Sequence, residues 1–166
     1  MQSSVTLLRG ASTSSARLSR WHEILPMGGG SGHAPGAGCE YSAMPRESEL
    51  RAAVDVYFRA LYACDVDLLD SVFHPSSTLF DVDQGEIVVD PFPAWREVVA
   101  NRPSPKSVGQ ERDEEIVSIT WLSETAASVH VRLRVLDSIF VDHLSFVDGP
   151  HGWRIVAKVW HLEATV

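Results

Sequence analysis

The 166-residue sequence is short of the features that mark most recognisable chemistries. It has two cysteines, Cys39 and Cys64, in no CxxC spacing. That excludes a disulfide scaffold and leaves two free thiols as the reading. No apolar run approaches the length of a membrane span. Positive charge is scarce: Lys and Arg total 14 against 22 Asp and Glu, a net charge of −8. Phosphate contacts need clustered Lys and Arg, so nucleic acid and anionic membrane surfaces are not expected as partners. HExxH, GxSxG, Walker and dinucleotide-binding glycine patterns are missing. The run Gly28-Gly29-Gly30-Ser31-Gly32 follows no strand pattern and opens no helix pattern, so it is not a phosphate cradle. His130, His143, His161 and Asp90 fall at no metal-ligand spacing, although His130 and His143 come close if their strands are neighbours. No metal and no cofactor are assigned. What is present, a 45% hydrophobic share, is that of an ordinary globular protein.

The chain divides near residue 44. Residues 1–43 hold 7 of the 11 glycines, many serines, and three arginines against two glutamates. Such a segment cannot bury enough apolar surface to offset its ordering entropy, so it is expected to be mostly disordered, with a short helix near Leu18–Leu25. Two explanations compete. Leu7–Leu25 is Ser- and Arg-rich and acid-poor, like an organellar transit peptide. Alternatively Met44 begins the working protein. The first places the chain in an organelle matrix and the second, which is preferred, in the cytoplasm. No continuous apolar centre marks a secretory signal.

Residues 44–166 read as one α+β domain. Leu50, Val54, Tyr57, Phe58 and Leu61 recur at helical spacing, predicting a helix over Arg46–Cys64. Asp65 is placed to cap a second helix with Leu68, Leu69, Val72 and Phe73 inward, ending by His74 because Pro75 follows. Residues 76–89 predict two short strands about a turn at Asp83-Gln84-Gly85. Asp90-Pro91 reads as the cap and first residue of a third helix carrying Phe92, Trp95, Val98 and Val99 inward and ending before Pro103. Four strands follow, over Ile116–Trp121, Ser128–Leu136, Ile139–Val147 and Trp153–His161. Alternation puts Val129, Val131, Leu133 and Val135 on one face and His130, Arg132 and Arg134 on the other. It groups Phe140, Asp142, Leu144 and Phe146, and in the last strand Trp153, Ile155, Ala157 and Val159.

This order of elements resembles the nuclear transport factor 2-like superfamily over residues 46–161. It is most similar to the small proteins labelled SnoaL-like or "putative lumazine-binding". The resemblance is carried by Val56-Tyr57-Phe58-Arg59-Ala60-Leu61-Tyr62 with Asp65, by Leu68-Leu69 and Phe73-His74-Pro75, by Phe140–Phe146, and by Trp153–Val159. It implies a cone: three N-terminal helices on a curved antiparallel sheet that wraps a pocket. It also implies a homodimer paired through the sheet, where the outward row His130, Arg132, Arg134 and Lys158 is a candidate interface. The superfamily hosts isomerases, dehydratases, cyclases and noncatalytic assembly domains, so fold does not fix function.

Within such a pocket, Asp142 is the leading candidate base, because it shares a face with Phe140, Leu144 and Phe146 and a buried carboxylate is costly unless paired. The competing reading has Asp142 bonded to Tyr57 or to backbone, holding helix to sheet. His74 is a candidate proton shuttle or Asp142 partner, or simply a helix C-terminal cap. Tyr57, ahead of Tyr62, is a candidate donor to a substrate oxygen, or a core tyrosine with a polar partner. Phe92, Trp95, Phe140, Leu144 and Phe146 are the candidate pocket lining. Two functions follow. One is binding of a hydrophobic small molecule, extending to cofactor-independent isomerisation, dehydration or cyclisation. The other is a noncatalytic homodimerisation or interaction domain with a filled core.

Overall fold

The computed structural model describes residues 46–166. The expected extension over residues 1–43, the helix near Leu18–Leu25 and the Cys39 thiol lie outside the described residues. Helix α1 spans Glu47–Ala63 and buries the predicted stripe of Leu50, Val54, Tyr57, Phe58 and Leu61. It ends at Cys64, a free thiol in the left-handed region with φ 53°. Helix α2, Val66–Val72, starts where Asp65 accepts hydrogen bonds from the amides of Asp67 and Leu68, each 3.1 Å long. These satisfy two of the orphan N–H groups of the first turn.

Strands β1 (Phe73–Asp83) and β2 (Glu86–Pro91) form a hairpin. Its two-residue turn, Gln84-Gly85, has φ 51° and 87°, which suits glycine at the second position. Helix α3 runs Phe92–Asn101. It begins one residue later than the sequence suggests: Pro91 is its cap, no side chain bonds there, and Asp90 belongs to β2. Phe92 and Val99 face the core, Trp95 is partly buried, and Val98 is 62% exposed. After a 3₁₀ turn at Pro105–Val108 come β3 (Glu114–Ser123), β4 (Ala126–Val135), β5 (Ser138–Gly149) and β6 (Gly152–Thr165).

All six strands form one sheet in the order β2-β1-β6-β5-β4-β3. Four of its neighbouring pairs are antiparallel, but β1 lies parallel to β6. The expected wholly antiparallel sheet is therefore a mixed one. The chain reaches β1 from the helices and must return through α3 and the β3–β5 meander before β6 can pair with it. Fold class α+β stands, with three helices and a curved sheet, though α3 follows the first hairpin instead of preceding all strands.

One local feature decides what faces inward. In the β5–β6 ladder Phe146 pairs with Ile155 and Ser145 with Ala157, so Val156 is an extra residue, a β-bulge. Because side chains alternate with period two, one extra residue exchanges the faces beyond it. Trp153 and Ile155 point into the core as expected. Past the bulge, Lys158 is buried and Val159 is exposed, the reverse of the straight-strand reading. Lys158 therefore leaves the outward basic row. Of the rest, Arg132 pairs with Glu163 at 2.7 Å and Arg134 donates to the Leu136 carbonyl at 2.9 Å.

The Asp65 cap is tested by Asp65→Ala. It should lower unfolding free energy by about 1 kcal/mol in urea titrations, and an unchanged midpoint would show the cap contributes nothing.

Candidate functional site

Three side chains from three elements meet beneath α1. The Tyr57 hydroxyl on α1 donates to Asp142 Oδ2 on β5 at 2.5 Å. Lys158 Nζ on β6 donates to the same Oδ2 at 2.9 Å and to the Tyr57 oxygen at 2.7 Å. Tyr57 and Asp142 are 0% exposed and Lys158 is 5% exposed. Lys158 Nζ also lies 5.2 Å from the centre of the Trp95 ring, within cation–π range. Ladder register explains the meeting: Asp142 stands opposite Trp160 and Leu144 opposite Lys158, so the two charged groups are diagonal neighbours on one face.

The electrostatics follow from burial. Desolvation pushes the Tyr57 hydroxyl well above its usual pKa, and the charge and hydrogen bond of Asp142 push it further, with Arg102 opposing. Desolvation pulls Lys158 below its usual value, against the Asp142 charge and hydrogen bond that favour the ammonium; Arg102 adds to the lowering.

Asp142 and Lys158 of the cluster border a cavity of about 290 Å³, whereas Tyr57 does not line it. Asp142, Lys158, Trp95 and Phe140 line it, with Leu61, Leu133, Val135 and Trp160 as further apolar surface. Asp90, Val98 and Arg102 complete the lining. This is near the lower end of ligand-site volumes. Asp142 Oδ1 is buried and has no hydrogen-bond partner among the described residues. One carboxylate oxygen is therefore fixed by the protein and the other is left unbonded in a residue that lines the cavity.

The structure thus brings Tyr57 and Asp142 together, and it places Trp95 and Phe140 on the cavity with Asp142. It does not bring His74 there. His74 is exposed at the start of β1, with Nδ1 receiving the Ser76 amide at 3.2 Å. Helix α2 ends at Val72, so His74 does not cap it either. Phe92 stacks on Phe73 at 4.6 Å and belongs to the core, as do Leu144 and Phe146 further along β5. Tyr62 donates to the Gln110 carbonyl at 2.9 Å. Sequence reasoning missed Lys158, Arg102 and Asp90. For Lys158 a signal existed: a buried Asp142 needs a cation, and the neighbouring strand offers a lysine near that register.

Breaking the pair should cost more than removing it. Asp142→Asn and Lys158→Met should each lose about 3–5 kcal/mol in urea unfolding, and the double variant less than their sum; additive losses would show the charges are not coupled. Tyr57 keeps its proton in the folded chain above pH 10, its ordinary midpoint, where the unfolded chain loses it. Its contribution is full below that pH and is lost as pH rises further. Lys158 acts oppositely, since its lowered value makes stability rise with pH below 10.5. Tyr57→Phe should remove the alkaline fall in unfolding free energy; an unaltered fall would place its cause elsewhere.

The profile of the family described as "Putative lumazine-binding" matches residues 45–161. No curated protein gives a significant match. Among solved structures, a nuclear transport factor 2-like protein of unknown function from Silicibacter pomeroyi aligns with a TM-score of 0.62 at 22% identity, over 70% of this chain and 94% of its own. Another, from Shewanella baltica, gives 0.60 at 24% identity over 71% and 96%. A ketosteroid isomerase-like protein from Erwinia carotovora atroseptica gives 0.56 at 13% identity over 72% and 98%. At these identities the structures speak for the fold alone. The family match extends over most of the chain, so the chain belongs to the putative lumazine-binding family, and its fold is nuclear transport factor 2-like.

Proposed function

We propose that this chain binds a small, largely apolar molecule in the cavity beside Asp142, and that Asp142 acts as a general base in cofactor-independent proton transfer: isomerisation, dehydration or cyclisation. The observation that carries the reading is the divided carboxylate. Oδ2 is held by Tyr57 and Lys158, while Oδ1 has no partner among the described residues. A fixed carboxylate with one unbonded oxygen beside an apolar-walled cavity is what removal of a proton from carbon requires. Tyr57 is a positioning residue in this scheme, because its proton is committed to Asp142 and not to a substrate oxygen. Lys158 supplies the charge that keeps the carboxylate in place.

The alternative, a noncatalytic pairing domain, keeps one supporting observation. The outer sheet face carries Val159, 52% exposed, Val89, 54%, and Val82, 62%, clustered by the pairings Phe80–Val159 and Phe80–Val89. A second copy of this chain seated there buries that surface. Dimerisation is compatible with a working pocket, whereas a filled core is what the noncatalytic reading requires.

Native mass spectrometry of the gently purified full chain tests both. Expected is a dimer carrying a discrete extra mass, with the mass missing from Val98→Trp, which fills the cavity mouth. The recovered molecule should exchange a C–H proton with deuterated water in the presence of wild type and not of Asp142→Asn, compared where circular dichroism shows the variant folded. A retained mass without exchange would leave binding and remove the base. A bare dimer would favour the pairing domain.

A further inference from the structure

The cavity holds a second unsatisfied group that the proton-transfer scheme does not use. Arg102 follows the last residue of α3 and lines the cavity. Its Nε and Nη2 are buried and have no acceptor among the described residues. Unlike Lys158, a guanidinium cannot escape burial by giving up its proton. Arg102 as a whole is half-buried, but each of these two buried N–H donors carries an uncompensated desolvation cost. The carboxylates nearby do not supply a partner. Asp142 gives Oδ2 to Tyr57 and Lys158. Asp90 lines the same cavity, yet among the described residues no ion pair joins it to Arg102.

The two idle donors are the two ends of one edge of the guanidinium. This chain shows what that edge takes. Arg96, on the preceding helix α3, uses the same pair of atoms to grip both oxygens of Asp70, Nε to Oδ1 at 2.8 Å and Nη2 to Oδ2 at 2.9 Å. A planar fork facing a carboxylate is the strongest form of such recognition.

Resting on the reading that the cavity binds a small molecule, we propose that its ligand is a carboxylate with an apolar body, the carboxylate gripped side-on by Nε and Nη2 of Arg102. Leu61, Leu133, Val135 and Trp160 enclose the body, and Asp142 lines the same cavity. Two aspartates in the lining set a limit on charge, so the ligand carries one negative charge and not two. An anion on Arg102 also offsets the positive field that Arg102 exerts on Lys158.

The test compares two probes of one shape, 2-naphthoate and 2-naphthamide, by isothermal titration calorimetry on the full-length protein. Wild type should bind the acid tighter than the amide by roughly tenfold or more. Arg102→Gln should remove that preference, weakening the acid by roughly tenfold more than the amide. Asp90→Asn, whose side chain makes no hydrogen bond among the described residues, should increase the preference by removing a like charge from the lining. Equal binding of acid and amide by wild type would overturn the carboxylate inference and leave the pocket reading standing. Binding of neither probe would overturn both. A preference that persists in Arg102→Gln would assign the anion to Lys158 instead.

Discussion

A carboxylate with no exposure to water cannot sit inside a small domain unless a cation and hydrogen-bond donors meet it there. That constraint organises this molecule. Asp142 brings Lys158 inward from the next strand and fixes the Tyr57 hydroxyl from the helix above. The three residues therefore tie α1, β5 and β6 at one point. Around that point the domain is not filled: the Phe140 end of β5 borders a cavity, while Leu144 and Phe146 at its other end are packed core. A polar cluster at the boundary between packed and open interior is satisfied by the protein on one side and free on the other. The two oxygens of one carboxylate thus stand in different environments, Oδ2 bonded and Oδ1 without a partner among the described residues.

Much of this was legible in the sequence. The helical stripe through Tyr57, the Asp65 cap and the inward set Phe140, Asp142, Leu144 and Phe146 all rest on periodicity or a local hydrogen bond, which short segments determine by themselves. The Tyr57–Asp142 contact was among the alternatives because both residues lay on inward faces. What could not be read depended on partners distant in the chain. The bulge at Val156 sits in the apolar run Ile155-Val156-Ala157, where either face accepts every residue, so nothing local reveals the change of phase. Lys158 was misplaced for that reason. Asp90 and Pro91 spell a helix start, but strand pairing with Leu79 and Thr78 holds them in β2. His74 is a candidate through its place at the expected end of α2, but the chain irregularity between Phe73 and Thr78 leaves the ring on the surface. Arg102 carried no signal at all, since its position depends on where α3 stops relative to the sheet.

The cavity owes its character to the sheet and to helix α3, which supply different chemistry. The sheet contributes the paired charges and much of the apolar wall. Helix α3 contributes Trp95 and Val98, and Arg102 follows at its end. That helix is fixed to the rest by the Phe92–Phe73 stack and by the Arg96–Asp70 fork. Arg102 and Asp142 are thereby mounted on separate supports.

The tyrosine–aspartate–lysine contact also has a kinetic side. The two hydrogen bonds of Tyr57 join residues 85 and 101 positions apart in the chain, whereas Lys158 and Asp142 are 16 apart. Contacts of that span close only after large loops have lost their freedom, whereas the helices and the β3–β5 hairpins assemble from neighbours. The two Tyr57 bonds therefore close late in folding, after the Lys158–Asp142 pair of neighbouring strands. Interactions of that kind lengthen the lifetime of the folded state while leaving the rate of reaching it nearly untouched.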